Sequence, residues 1–159
     1  MTSFDCWSEI LVISSRLLKL ISLLTSKYER LPNIIAKEHA AIKANDFAQL
    51  QHTCQEKSEI GDLIAQHFSE FRAETDALFL LAGASVEIVK QEPKGYNEVI
   101  ELFDSLVTNL EVGSTWGSEI KNRRTQLAES FRSFREKFEV IQPIIENNRT
   151  VVRTMLEHQ

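Results

Sequence analysis

The chain has 159 residues, of which 43% are hydrophobic and 26% charged, with only five Gly, three Pro and two Cys. This composition excludes a collagen-like, disordered or disulfide-stapled protein and is typical of a globular domain that needs no metal or disulfide to hold its core. The net charge of −5 argues against a nucleic-acid-binding surface, because phosphate binding depends on clustered Lys and Arg.

The amino-terminal segment has the features of neither a signal peptide nor a membrane span. It carries Asp5 in place of a basic region, and two basic residues interrupt the apolar stretch Ile10–Leu24. Cys6 and Cys54 match no metal or disulfide spacing, which is typical of a reducing compartment. We therefore expect a cytoplasmic protein that is not inserted in a membrane, with Cys54 in its core.

The first predicted helix covers residues 2–44. Its apolar residues recur at steps of three and four, which is the period of a helix that buries one stripe. Pro32 should bend this helix without ending it, because the stripe resumes in phase beyond it. The stripe is Trp7, Ile10, Ser14, Leu17, Ile21, Leu24, Tyr28, Leu31, Ile35, Glu38 and Ile42.

The second predicted helix covers residues 46–80 and follows a tight turn. Asp46 is expected to cap it, with Gln49 as the capping-box partner. A connection this short makes the two helices antiparallel neighbours. The second stripe is Phe47, Leu50, Cys54, Lys57, Gly61, Ile64, Phe68, Phe71, Thr75 and Leu78.

Two charged residues fall on these facing stripes. Glu38 belongs to the first stripe and Lys57 to the second. We interpret them as a half-buried pair with a structural role in setting the register of the hairpin.

A linker and a short helix follow. Residues 83–95 form the linker, and its Val86, Ile88 and Val89 predict partial packing against the helices. The third helix covers residues 96–112. Its stripe is Val99, Phe103, Leu106 and Leu110.

Residues 113–118 are either a turn or a weak point in a continuing helix. They include Gly113 and Gly117, and we favour the turn. The last helix then covers residues 118–157, bent by Pro143. Its stripe is Ile120, Arg124, Leu127, Phe131, Phe134, Phe138, Ile141, Ile145, Asn148, Val152 and Met155.

These elements predict an all-α protein. We expect an elongated antiparallel helical bundle, or long helical hairpin with kinked helices, that forms a single domain over residues 1–159.

The histidines do not indicate an enzyme. A di-metal carboxylate bundle needs Glu-x-x-His pairs, and no His here has a carboxylate three residues before it. His52 and Glu56 are one turn apart, a spacing that is common by chance. His39 with Lys43 has the outline of a phosphotransfer site but lacks the glycine that this class carries after the Lys.

Motifs for nucleotide binding or nucleophilic catalysis are also absent from the sequence. We therefore predict a binding protein with no catalytic residue, metal or cofactor. The one basic cluster is interleaved with Glu, which favours a solvated helix face, with an acidic partner as the alternative. The cluster comprises Arg123, Arg124, Arg132, Arg135 and Lys137.

Apolar residues exceed one stripe in two places. The first helix adds Leu11, Val12, Leu18, Leu20 and Leu23, and the last helix adds Val140, Ile144 and Val151 next to Met155. Internal packing against the third helix and linker is one interpretation. The other interpretation is a surface that binds a partner's amphipathic helix. Its partner-binding residues would be Val140, Ile144, Val151 and Met155, which are named the apolar row below.

Residues 20–64 resemble the FlgN-like flagellar export chaperones. The resemblance lies in a leucine-rich helix, Glu38 four residues before Ile42, the turn Asn45-Asp46, then Leu50 and Glu56-Lys57. Residues 145–159, IENNRTVVRTMLEHQ, are similar to the closing helix of that family.

This resemblance implies a cytoplasmic protein that binds the carboxyl-terminal helices of the hook-filament junction proteins. Such a protein keeps its clients monomeric until they reach the flagellar export apparatus. The competing class is a coiled-coil adaptor or structural dimer without an export role, which would use the same apolar surplus. The resting oligomeric state is left open by the sequence.

Overall fold

The computed structural model describes residues 4–83, 95–110 and 115–158, which form four α-helices without any strand. The helices are α1 Phe4–Lys43, α2 Phe47–Leu81, α3 Tyr96–Asn109 and α4 Thr115–Glu157. Both long helices that contain proline, α1 and α4, continue through it. The predicted all-α helical bundle is confirmed.

The turn between α1 and α2 is closed by its own backbone. Asn45 has a φ of 53°, the left-handed conformation that Asn tolerates well. The N–H groups of Asn45 and Asp46 donate to the carbonyls of Ile42 and Ala41, which is a Schellman motif that ends α1. Asp46 Oδ1 then accepts the Gln49 N–H at 3.1 Å and caps α2. The Asp46 N–H is thus bonded to α1 and not to the Gln49 side chain that the sequence suggested.

Two helix ends differ from the sequence prediction. Helix α3 ends at Asn109, because Leu110 has an extended backbone with φ −79° and ψ 141°. Helix α4 begins at Thr115, so Gly117 is helical and lies outside any turn. One glycine costs a helix only about 1 kcal/mol, and a helix of 43 residues absorbs that cost. Gly113 and the linker residues 84–94 lie outside the described residues.

The chain divides into two compact units. Unit 1 takes its described residues from 1–22 and 68–133, and unit 2 takes them from 23–67 and 134–159. The single-domain interpretation stays a prediction.

Unit 1 is formed by the start of α1, the end of α2, all of α3 and the start of α4. In it, Phe131 contacts Phe71 and Tyr96, with ring centroids 5.9 and 5.2 Å away. Arg124 pairs with Asp104 at 2.9 Å, and together with the contact of Phe131 with Tyr96 this shows that α3 and α4 run antiparallel. Its most deeply buried apolar side chains are Ile10, Leu17, Leu78, Val99, Phe103, Ile120 and Leu127.

Unit 2 contains the hairpin of α1 and α2 and the second half of α4. Tyr28 of α1 meets Phe134 and Phe138 of α4 edge to face, with centroids 5.6 and 5.5 Å away. Further along both helices, Glu38 contacts Asn148, so α4 runs parallel to α1 and antiparallel to α2. The core of unit 2 is Leu24, Tyr28, Leu31, Ile34, Ile60, Ile64 and Ile141.

The predicted stripe matches the buried face of α1 but only part of the buried face of α2. All eleven positions of the α1 stripe are buried. The α2 stripe is wrong at Phe47, which is 75% exposed, and at Cys54, Gly61 and Phe68, which are also exposed. Cys54 is therefore not a core residue. The buried residues of α2 are Thr53, Ile60, Ile64, His67, Thr75 and Leu78.

Candidate partner-binding site

The carboxylate of Glu38 is the centre of a polar network in unit 2. Lys57 Nζ donates to its Oε2 at 2.7 Å, and Asn148 Nδ2 donates to its Oε1 at 3.1 Å. The Cys54 thiol lies 3.5 Å from Oε2, and His39 Nε2 lies 2.9 Å from Asn148 Oδ1. Because Glu38 is only 1% exposed, these contacts join α1, α2 and α4 through one buried charge.

The network keeps Glu38 ionised. Burial raises the pKa of Glu38, but the hydrogen bonds from Lys57 and Asn148, together with the positive charge of Lys57, bring it below its ordinary value of 4.5. Although Cys54 as a whole is exposed, partial desolvation of its thiol, followed by the hydrogen bond to Glu38 and the negative charge of Glu38, raises the pKa of Cys54. The predicted contact between Glu38 and Lys57 is present. Asn148 is a second partner of Glu38. The sequence placed it on the α4 stripe but indicated no role for it.

The apolar row lies on α4, outside the core of unit 2. Val140 is 67% exposed, Ile144 37% and Val151 36%, and Met155 is half-buried. Spacings of four and seven residues place the first three on one side of the helix. The neighbouring Ile141 is buried, so the row flanks the packed stripe of α4.

Most of the additional apolar residues of α1 are packed inside the protein. Leu20 is buried, and Leu11, Leu18 and Leu23 are half-buried. Val12, at 49% exposed, is the exception. Among the predicted surplus positions, the α4 set is therefore the more accessible one.

A groove lies beside α4 in unit 2 and has a volume of 570 Å³. Its apolar side chains are Val152 and Leu156, and Leu156 is 53% exposed. Sequence reasoning missed Leu156, although its position four residues after Val152 was an available signal. The groove, here named the α2–α4 groove, is lined by Lys57, Asn148, Arg149, Val152, Arg153, Leu156 and Glu157.

The histidine candidates have structural contacts. His39 is half-buried and bonded to Asn148, so it is not the exposed histidine that a phosphotransfer site requires. His52 lies 3.0 Å from Glu56 on the surface of α2. Within the described ranges, no three His, Cys, Asp or Glu side chains are grouped so that they would hold a metal ion.

Most of the basic cluster is paired internally. Arg124 contacts Asp104, Arg135 contacts Glu139, Lys137 contacts Glu29, and Arg123 donates to the Ser15 hydroxyl. Helices long and apolar enough for a membrane span are not found in the part of the chain that the structure describes.

Comparison with known protein families matches residues 13–158 to the FlgN protein family. No match was found among curated proteins or solved structures. The matched range includes the whole α1–α2 turn, the Glu38 network and the apolar row. The chain therefore belongs to the FlgN family, whose members are flagellar export chaperones that bind flagellar proteins.

Proposed function

We propose that this protein binds the carboxyl-terminal helices of hook-filament junction proteins in the cytoplasm and keeps them monomeric before export. The observation that carries the proposal is the exposure of Val140, Ile144 and Val151 on a helix of a FlgN-family protein. These side chains are not needed for packing inside the bundle. They offer an apolar surface to the amphipathic helix of a partner.

The chemistry of the client supports this role. Proteins that assemble through amphipathic helices aggregate when those faces are bare in solution. A client helix with apolar anchors at steps of four and seven residues matches the spacing of the apolar row. Met155 adds a flexible side chain that adapts to different anchors. Binding covers the apolar faces of the client until the client is passed to the flagellar export apparatus.

Co-purification with the carboxyl-terminal segment of a junction protein tests the proposal. We expect a stable complex in which light scattering finds one client molecule, while the client alone forms larger species. A dimer whose mass is independent of concentration and which has no affinity for the client would instead support a coiled-coil adaptor.

A further inference from the structure

We propose that the α2–α4 groove is a second docking surface, which binds an amphipathic partner helix that carries carboxylates beside its apolar anchors. The groove is separate from the apolar row. On a helix with 3.6 residues per turn, Leu156 lies about 140° around α4 from Val151, and Arg149 about 160° from it. A partner in the groove therefore contacts the opposite flank of α4.

The apolar part of the groove suits a helix. Val152 and Leu156 are one turn apart on α4, so they match anchors that are one turn apart on a partner helix. Arg149, Arg153 and Leu156 are all exposed, so the groove is open along its rim. An open rim fits one face of a helix better than it fits a small ligand, which binds in a site that encloses most of its surface.

The charges of the groove select an acidic partner. Arg149 and Arg153 are one turn apart on α4, a spacing at which like charges repel. Neither forms an ion pair within the described part of the chain, so both guanidinium groups are available to the carboxylates of a partner.

The remaining charges of the groove do not cancel the two arginines. Lys57 is already bonded to Glu38, and Glu157 is the one acidic residue of the lining. The groove is thus a positive site on a protein with a net charge of −5. Carboxylates on a partner helix would remove the repulsion between the arginines and orient the helix in the groove.

Two synthetic helical peptides test the proposal. Both carry Leu anchors one turn apart, one flanks them with Glu and the other with Lys, and binding to the full chain is measured by fluorescence anisotropy. We expect the Glu peptide to bind more tightly, with an affinity that falls as salt is added. The double variant Arg149→Glu, Arg153→Glu should bind the Glu peptide about tenfold more weakly and prefer the Lys peptide.

Three further variants locate the site. Arg132→Glu reverses a single arginine on an exposed part of α4 outside the groove and should leave binding unchanged, whereas Arg149→Glu alone should already weaken the binding of the Glu peptide. Leu156→Ser should weaken both peptides, and Val151→Glu should leave the preference for the Glu peptide intact. Circular dichroism checks that each variant is helical, and Arg149→Gln with Arg153→Gln is the milder pair if the double reversal unfolds.

The proposal is overturned if neither peptide binds, if both bind equally, or if the arginine variants keep the preference of the natural chain. The peptides are not junction-protein sequences, so none of these results bears on the proposed function. That function is tested separately, by co-purification with a junction-protein segment.

Discussion

Asn148 Nδ2 donates a hydrogen bond to Glu38 Oε1 across 110 residues of sequence. Lys57 bonds the other carboxylate oxygen, so both oxygens of this buried group have partners. Removing a carboxylate from water costs several kcal/mol unless such partners are present. The arrangement therefore favours one register of α1, α2 and α4 over registers that leave the charge unpaired.

Replacing Glu38 should destabilise the protein strongly. Glu38→Ala leaves the Lys57 ammonium and the Asn148 amide without their acceptor, and we expect the free energy of unfolding to fall by about 3 kcal/mol. Urea denaturation measures the change. Glu139→Ala is the matched control, because it breaks an exposed pair with Arg135 and should cost less than about 1 kcal/mol. Equal losses in the two variants would contradict the importance of the network.

Glu38 should also make stability depend on pH in the acid range. Its pKa in the folded protein is below the ordinary value of 4.5, so the unfolded chain takes up the proton first as the pH falls. The contribution of Glu38 is complete above pH 4.5 and is lost as the pH falls through the folded pKa. We expect the stability of the natural chain to fall more steeply below pH 4.5 than that of Glu38→Gln, measured by urea denaturation at several pH values. Parallel curves would contradict this prediction.

The reactivity of the Cys54 thiol should depend on the same network, because the thiol lies 3.5 Å from Glu38 Oε2. Since burial and the charge of Glu38 raise the pKa of this thiol, less thiolate is present at neutral pH and alkylation is slow. In a Cys6→Ser background, Glu38→Gln should speed the reaction of Cys54 with iodoacetamide, followed by mass spectrometry. Lys57→Met should slow it, because the positive charge of Lys57 lowers the pKa of Cys54. Changes in the same direction for both variants would show that access, and not charge, controls the thiol.

Val151→Glu should weaken client binding without unfolding the protein. Val151 is already 36% exposed, so a carboxylate there stays in water in the free protein but is buried against an apolar client face. We expect a loss of tenfold or more, roughly 1.4 kcal/mol, in a calorimetric titration with the junction-protein segment. Thr150→Glu adds the same charge next to the apolar row and should bind normally. An unfolded Val151→Glu variant, seen by circular dichroism, would place Val151 in the core.

The sequence predicted α1 well because its apolar residues form one continuous stripe. Even the polar Ser14 and Glu38 are buried where the period placed them. Periodicity gives the face of a helix, however, and not the partner across from it. The bond from Asn148 to Glu38 depends on how far α4 is shifted along α1, which only tertiary packing decides.

Helix α2 was predicted less well for a related reason. Its apolar residues are spread around the helix, so two different stripes fit the period. Phe47 is in the first turn of α2, next to the hairpin turn, where it is 75% exposed. Thr53 and His67 are buried, and the Thr53 hydroxyl donates to the Gln49 carbonyl of its own helix. Buried polar residues of this kind leave no hydrophobic signal in the sequence.

Asn148 is the last buried residue of α4, and the ten residues that follow, up to His158, are half-buried or exposed. Little apolar contact opposes the unwinding of this segment, so its amide hydrogens should exchange with solvent far faster than those before Asn148. A partner helix docked against this segment would add the missing apolar contacts, so its binding should slow the exchange of these amides while those before Asn148 stay unchanged.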